Sequence, residues 1–180
     1  MIRVIGGKFK GRRLTIVRSP LVRPIPAKLK EALFNIIQDD VKGAIVLDGF
    51  AGTGSIGIEA LSRGAEFVVF VDEFYPSVKA LKTNLARCDA EDSGRVVHKE
   101  FNRAVIQLAG EESRFDLIFL DPPYKMLEER NPLKVIKKRG ILKPGGLIVL
   151  RHHRKIEPDR KFFDPVRTAA ISDDRLTFYR

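Results

Sequence analysis

Tryptophan is absent from this 180-residue chain, and cysteine occurs once, at Cys88. A lone cysteine excludes an internal disulfide and suits a reducing compartment, so a cytoplasmic protein is expected. Its three histidines, His98, His152 and His153, stand at no metal-ligand spacing with cysteine or acid. No metal centre is expected from them. No apolar run approaches the roughly 18 residues that a membrane span requires. The N-terminal "MIRVIGGKFKGRR" carries no apolar segment of signal-peptide length behind its charges. Neither a membrane role nor export is therefore expected.

Acid is also missing where it would balance charge. Residues 1–30 hold nine Lys/Arg and no Asp or Glu, residues 31–150 are nearly neutral, and the formal net charge is +10. A basic arm on a neutral body is the footprint of a polyanion partner. Arg3, Lys8, Lys10, Arg12, Arg13 and Arg23 are its candidate phosphate contacts, positioning groups rather than catalysts. A solvated, solubilising arm is the plainer reading of the same charges.

What is present suits one domain over residues 1–180, with the basic arm and a helix at 1–40 and the catalytic body at 41–180. Apolar residues at helical spacing predict an amphipathic helix over 27–39. Five apolar runs follow at 44–50, 67–72, 95–99, 116–121 and 145–150, separated by helical stretches near 55–64, 75–88, 101–109 and 128–138. Near-continuous Val/Ile/Leu strands alternating with helices predict an α/β, Rossmann-like, doubly wound parallel sheet covered on both faces. Two more strands around Ser172-Asp173-Asp174 would close one edge as an antiparallel hairpin, giving seven strands. The arm, with Gly6-Gly7 and Gly11, is expected to form a separate small hairpin before the first helix.

The first strand of the body runs into "LDGFAGTGSIGIEAL", in which Gly52-x-Gly54-x-x-Gly57 satisfies a dinucleotide fingerprint. Asp72 lies where an acid can hold ribose hydroxyls. The glycines alone do not separate a nicotinamide cofactor from S-adenosylmethionine. Asp48 favours the second, because a carboxylate beside the loop repels a pyrophosphate but pairs with an ammonium. Glu100 adds an acid at the adenine side. Three acids at successive strand ends fit a cationic nucleoside, with Asp48, Phe50, Ala51, Gly52, Thr53 and Gly54 at its methionine end.

The fourth strand stops abruptly in "FDLIFLDPPYK". Two prolines cannot donate to a sheet ladder, so the strand ends there. The tetrapeptide "DPPY" resembles that of the class I methyltransferases that modify exocyclic amines. That resemblance implies that the Asp121 carboxylate and the Pro122 carbonyl each accept a hydrogen bond from such an amine, a poor nucleophile whose lone pair is delocalised into its base. Such acceptors favour a pyramidal nitrogen. Pro122 and Pro123 fix the backbone, and Tyr124 offers a ring for an extruded base.

"DGFAGTGSIG" followed by "DPPY" resembles the class I methyltransferases that modify exocyclic amines. With "RVIGGKFKGRRL", "RPIPAKLKEALFNII", "FAGTGSIGIEALSRGA" and "RLTFYR", the chain is similar from start to end to the RsmD-like family of small-subunit ribosomal RNA (guanine-N2)-methyltransferases. The resemblance implies S-adenosylmethionine as cofactor, 16S rRNA in the small subunit or an assembly intermediate as partner, and no metal. Ile25 replaces the family's threonine, Lys28 its arginine, and Arg151 stands where relatives commonly place a glutamate. A DNA adenine-N6 methyltransferase shares the tetrapeptide, and a catalytically silent RNA-binding module could share the fold.

Overall fold

The computed structural model describes residues 2–19, 24–123, 126–127, 130–157 and 159–180. Seven strands form one sheet: β3 (Ile45–Asp48), β4 (Phe67–Asp72), β5 (Gly94–His98), β6 (Phe115–Leu120), β7 (Leu142–His153), β8 (Pro165–Ile171) and β9 (Asp174–Tyr179). Their order across the sheet is β5-β4-β3-β6-β7-β9-β8, parallel through β7 and antiparallel in the last two pairings. This is the doubly wound sheet with a C-terminal hairpin that the alternating pattern predicts. Ser172 makes the hairpin turn in the left-handed region, at φ 58°.

Successive residues of the parallel strands feed opposite cores, as period-2 geometry requires. Val46, Phe70 and Phe119 pack on one face with Leu29, Leu33 and Phe34 of α1 (Ala27–Ile36). Leu47, Val71 and Ile118 pack on the other with α5 (Phe101–Gly110) and α6 (Pro132–Arg139). The remaining helices are α2 (Gln38–Val41), α3 (Ser55–Ser62) and α4 (Tyr75–Arg87).

The helix predicted over 27–39 is broken at Ile37, whose φ of −104° and ψ of 16° separate α1 from α2. The helix predicted from 128 begins at Pro132, because the Asn131 side chain caps the Leu133 amide at 2.9 Å and proline is favoured at the first helical position. Residues 128–129 lie outside the described residues. The last parallel strand runs to His153, since Arg151 and His152 pair in register with Leu176 and Arg175 of β9.

The arm forms the small hairpin expected of it, a two-stranded sheet apart from the main one. Strands β1 (Ile2–Arg3) and β2 (Arg13–Leu14) do pair antiparallel. Val4, Phe9 and Leu14, however, are buried in the same core as α1. The amides of Ile5 and Gly6 donate to the two oxygens of Glu59 on α3 at 2.9 and 2.8 Å, and those of Lys8 and Phe9 donate to Ser62. An apolar-basic alternation buries one face of the segment and leaves its cations outward. Among the described residues, no helix is long and apolar enough to cross a membrane.

Candidate active site

Strand β3 leads to its neighbours β4 and β5 on one side, and the chain then returns to place β6 on the other. That reversal opens a crevice beyond the carboxyl ends of β3 and β6, where ligands bind in doubly wound sheets. A small cleft occupies it, lined by Asp48, the Phe50–Thr53 turn and Asp121. Arg151 closes one side, and Ile2, Ile16, Val17 and Ile25 from the arm roof it.

The glycine turn is built by its neighbours. Gly54 takes φ +85° at the N-terminus of α3, where a side chain would also meet Leu81. A methyl on Gly57 would collide with the Phe70 ring, so the third glycine lets α3 lie against β4. The Gly57 amide donates to Asp48 Oδ2 at 2.9 Å, and the Gly52 amide donates to Asp72 Oδ2 at 2.7 Å. Asp72 Oδ1 accepts from the Phe74 amide at 2.8 Å. The acid expected to face ribose therefore also holds the turn, with lone pairs to spare on each oxygen.

Burial pushes the Asp48 carboxyl up to about 7, opposed by the Gly57 amide and reinforced by the charges of Asp72 and Asp121. Asp72 is raised as well, by burial first. Glu100 caps α5, its Oε2 accepting from the Arg103 amide at 3.0 Å. Its Oε1 is buried without a partner among the described residues. Neither Asp72 nor Glu100 lines the cleft itself. They extend its acidic edge along the ends of β4 and β5.

An acidic cleft with a buried carboxylate near neutrality fits a group bearing an ammonium and a sulfonium. The partnerless Glu100 oxygen is a buried acceptor next to the end of β5. A pyrophosphate would meet carboxylates where it needs donors. S-adenosylmethionine thus matches the residues present.

Asp121 follows β6 directly. Arg151 Nη1 lies 2.8 Å from Asp121 Oδ2, while Nη2 lies 3.1 Å from Asp174 Oδ2 on β9. Desolvation in the concave setting raises the Asp121 carboxyl, and the Arg151 guanidinium counters it. Pro122 is buried and Pro123 exposed. Tyr124 lies outside the described residues, as does Arg23. Ile25, one departure from the family pattern, lines the cleft, whereas Lys28 is exposed on α1.

The cations of the arm are not equivalent. Lys8, Lys10 and Arg13 are exposed, with Lys8 over the Phe9 ring at 4.7 Å. Arg3 is exposed on β1. Arg12 is exposed too, but it pairs with Asp89 at 3.0 Å and donates to the Arg87 carbonyl.

The sequence reading missed Lys30 and Glu59, both buried and 3.1 Å apart. Lys30 Nζ also donates to the Arg3 carbonyl at 2.9 Å and to Ser55 Oγ at 3.2 Å. The pair ties arm, α1 and glycine-loop helix together just behind the cleft. Two uncapped helical charges carry no signal of burial until α1 and α3 are seen to face one another.

The family described as Conserved hypothetical protein 95 matches residues 2–180. The chain belongs to this family. A Bacillus subtilis relative, provisionally named rRNA methyltransferase YlbH, is 39% identical over 167 residues, which cover 93% of this chain and 91% of the relative. Ribosomal RNA small subunit methyltransferase D of Haemophilus influenzae is 31% identical over 164 residues, covering 91% and 83%. Among solved structures, the Thermus thermophilus 16S rRNA N2 G1207 methyltransferase RsmC, in complex with AdoMet and guanosine, superposes with a TM-score of 0.73 at 25% identity. That match covers 89% of this chain and 44% of RsmC. The resemblance read from the sequence, and the class I methyltransferase fold with it, are borne out.

Proposed function

We propose that the protein is an S-adenosylmethionine-dependent methyltransferase acting on the N2 amine of a guanine in small-subunit ribosomal RNA, in the cytoplasm. The observation that carries this reading is the convergence of Asp48, the glycine turn and Asp121 on one cleft. When bound, S-adenosylmethionine supplies a methyl group on a positively charged sulfur. Asp48 and the Phe50–Gly54 turn hold its methionine end, Asp72 its ribose and Glu100 its adenine side. The Asp121 carboxylate and the Pro122 carbonyl accept the hydrogens of the target amine and orient its lone pair toward the methyl. The motif alone assigns the stacking role to Tyr124. Ile2, Ile16, Val17 and Ile25 make the arm side of the cleft apolar, and lower local polarity strengthens the charge interactions beside them. Little further catalysis is needed beyond in-line positioning and charge complementarity. Relatives named for small-subunit rRNA methylation support the RNA assignment, and the exposed cations of the arm supply phosphate contacts.

Transfer of labelled methyl to purified small ribosomal subunits, deproteinised RNA and DNA, followed by nucleoside identification, tests the proposal. The expected product is N2-methylguanosine in small-subunit rRNA. Label in DNA adenine, or cofactor binding with no transfer to any RNA, would replace it with one of the two rival readings.

A further inference from the structure

Arg151 is the residue at the cleft that neither the methyl-transfer chemistry nor the glycine turn requires. We propose that it is the positioning residue for Asp121, gripping one carboxylate oxygen from the end of β7 so that the other faces the cleft as the acceptor for the target amine. The inference rests on the reading of Asp121 given above.

The geometry is that of a fixed clamp. One prong of the planar guanidinium takes Asp121 Oδ2 at 2.8 Å and the other takes Asp174 Oδ2 at 3.1 Å. Its side chain is only 13% exposed, and its backbone is locked into the β7–β9 ladder opposite Leu176. The neighbouring His152 alternates to the other side, where its Nε2 and Thr177 Oγ1 are 2.8 Å apart. Arg151 is therefore held at its base by the sheet and at its tip by Asp174, so its contact to Asp121 is directional. A lysine, a single point charge on a flexible stem, cannot span both carboxylates in this way. Arg151 takes Oδ2, one of the two carboxylate oxygens, and Asp121 lines the cleft.

The same contact governs charge. Asp121 is faced by Asp48 from β3, by Asp174 from β9 and by Arg151 from β7. The arm presents the apolar Ile2, Ile16, Val17 and Ile25. Arg151 is the one cation among these groups, and without it both concavity and neighbouring acids favour the protonated carboxyl. A protonated Asp121 has lost acceptor capacity for the amine. The functional form is the ionised one, so removing Arg151 moves the acid limb of the rate profile to higher pH.

The test is single-turnover methyl transfer to the RNA preparation that accepts label, at saturating cofactor, as a function of pH. Arg151→Met is expected to slow transfer roughly 10- to 100-fold near neutrality. Its acid limb should rise by about one pH unit or more, as loss of an adjacent opposite charge dictates, with part of the rate recovered at high pH. Arg151→Lys should keep the limb near that of the wild type while running at an intermediate rate. An Arg151→Met rate that is unchanged, faster, or depressed equally at every pH would overturn the proposal. A faster rate would make Arg151 a latch on Asp121. Should Arg151→Met melt below the assay temperature, Arg151→Gln, which keeps polar reach without charge, is measured in its place. Asp121→Ala separates the two levels of argument. Near-normal transfer by that variant sinks the reading of Asp121 and this inference together. Loss of transfer there, with an unaltered profile in the Arg151 variants, sinks this inference alone.

Discussion

Lys30 Nζ and Glu59 Oε2 meet 3.1 Å apart with neither side chain exposed. Glu59 in turn accepts from two amides of the arm and from Arg63. Burial lowers the Lys30 ammonium and Glu59 holds it up, so each charge depends on the other for its place inside. Breaking such a pair leaves an uncompensated charge. Glu59→Ala is expected to cost about 3–5 kcal/mol, measured by urea unfolding, with new protease sensitivity in the first 20 residues. A joint Lys30→Met, Glu59→Leu replacement should regain much of the stability. Full stability in Glu59→Ala would mean that the arm docks through its apolar residues alone.

Asp48 links cofactor binding to pH. Its folded carboxyl titrates at about 7, above the ordinary 3.8. An acid raised in the fold contributes stability that is fully present below the lower value and lost as pH rises through the upper one. Asp48→Asn should therefore melt higher than the wild type at pH 8 and level with it at acid pH, while losing cofactor affinity. In the wild type, affinity for S-adenosylmethionine should rise with pH through 7, with proton release in calorimetry across buffers of different ionisation enthalpy. Affinity that is flat between pH 5.5 and 8 would remove Asp48 from the ammonium site.

Asp121→Ala should fold and bind cofactor, yet transfer methyl on the order of 100- to 1000-fold more slowly, the usual effect of losing one group aimed at the transition state. Single-turnover rates with a parallel melting curve measure it. Normal transfer by a folded variant would leave the aspartate and prolines as a strand terminator.

These three sites differ in how far the chain alone disclosed them. Asp121 announces itself because two prolines end an apolar strand beside it. Asp48 and the glycines are legible because the turn has a fixed spacing. The alternation of period 2 and period 3.6 discloses the strands and helices, whereas their order across the crevice comes from long-range pairing. Lys30 and Glu59 are different, since each reads as an ordinary surface charge on an amphipathic helix. Their meaning comes from which helix faces align, and that depends on packing across the whole sheet. Arg151 was visible as an oddity of the pattern, but its grip on Asp121 required the register of β7 against β9. The Arg12 ion pair was hidden for a related reason, because its partner Asp89 stands 77 residues away.

Salt dependence separates the cations of the arm. Replacing Lys8, Lys10 and Arg13 by alanine should weaken RNA binding and flatten the slope of log affinity against log salt by about 2, as three lost phosphate contacts require. Arg12→Ala should change that slope less, while loosening the contact with Asp89. Equal slopes for the triple variant and the wild type would reduce the arm to a solubilising segment.

The bonds from Glu59 to Ile5 and Gly6 close loops of 54 and 53 positions, and those of Lys8 and Phe9 wait for Ser62. On the ribosome the arm is made before α3 and has nothing to dock on until that helix has emerged from the exit tunnel. Until then Val4, Phe9 and Leu14 stay wet, and the cations between them are exposed beside the RNA of the machine that is synthesising the chain. The arm thus gains its fixed place only together with α3, since contacts this distant along the chain carry a loop-closure cost that must be met before they form.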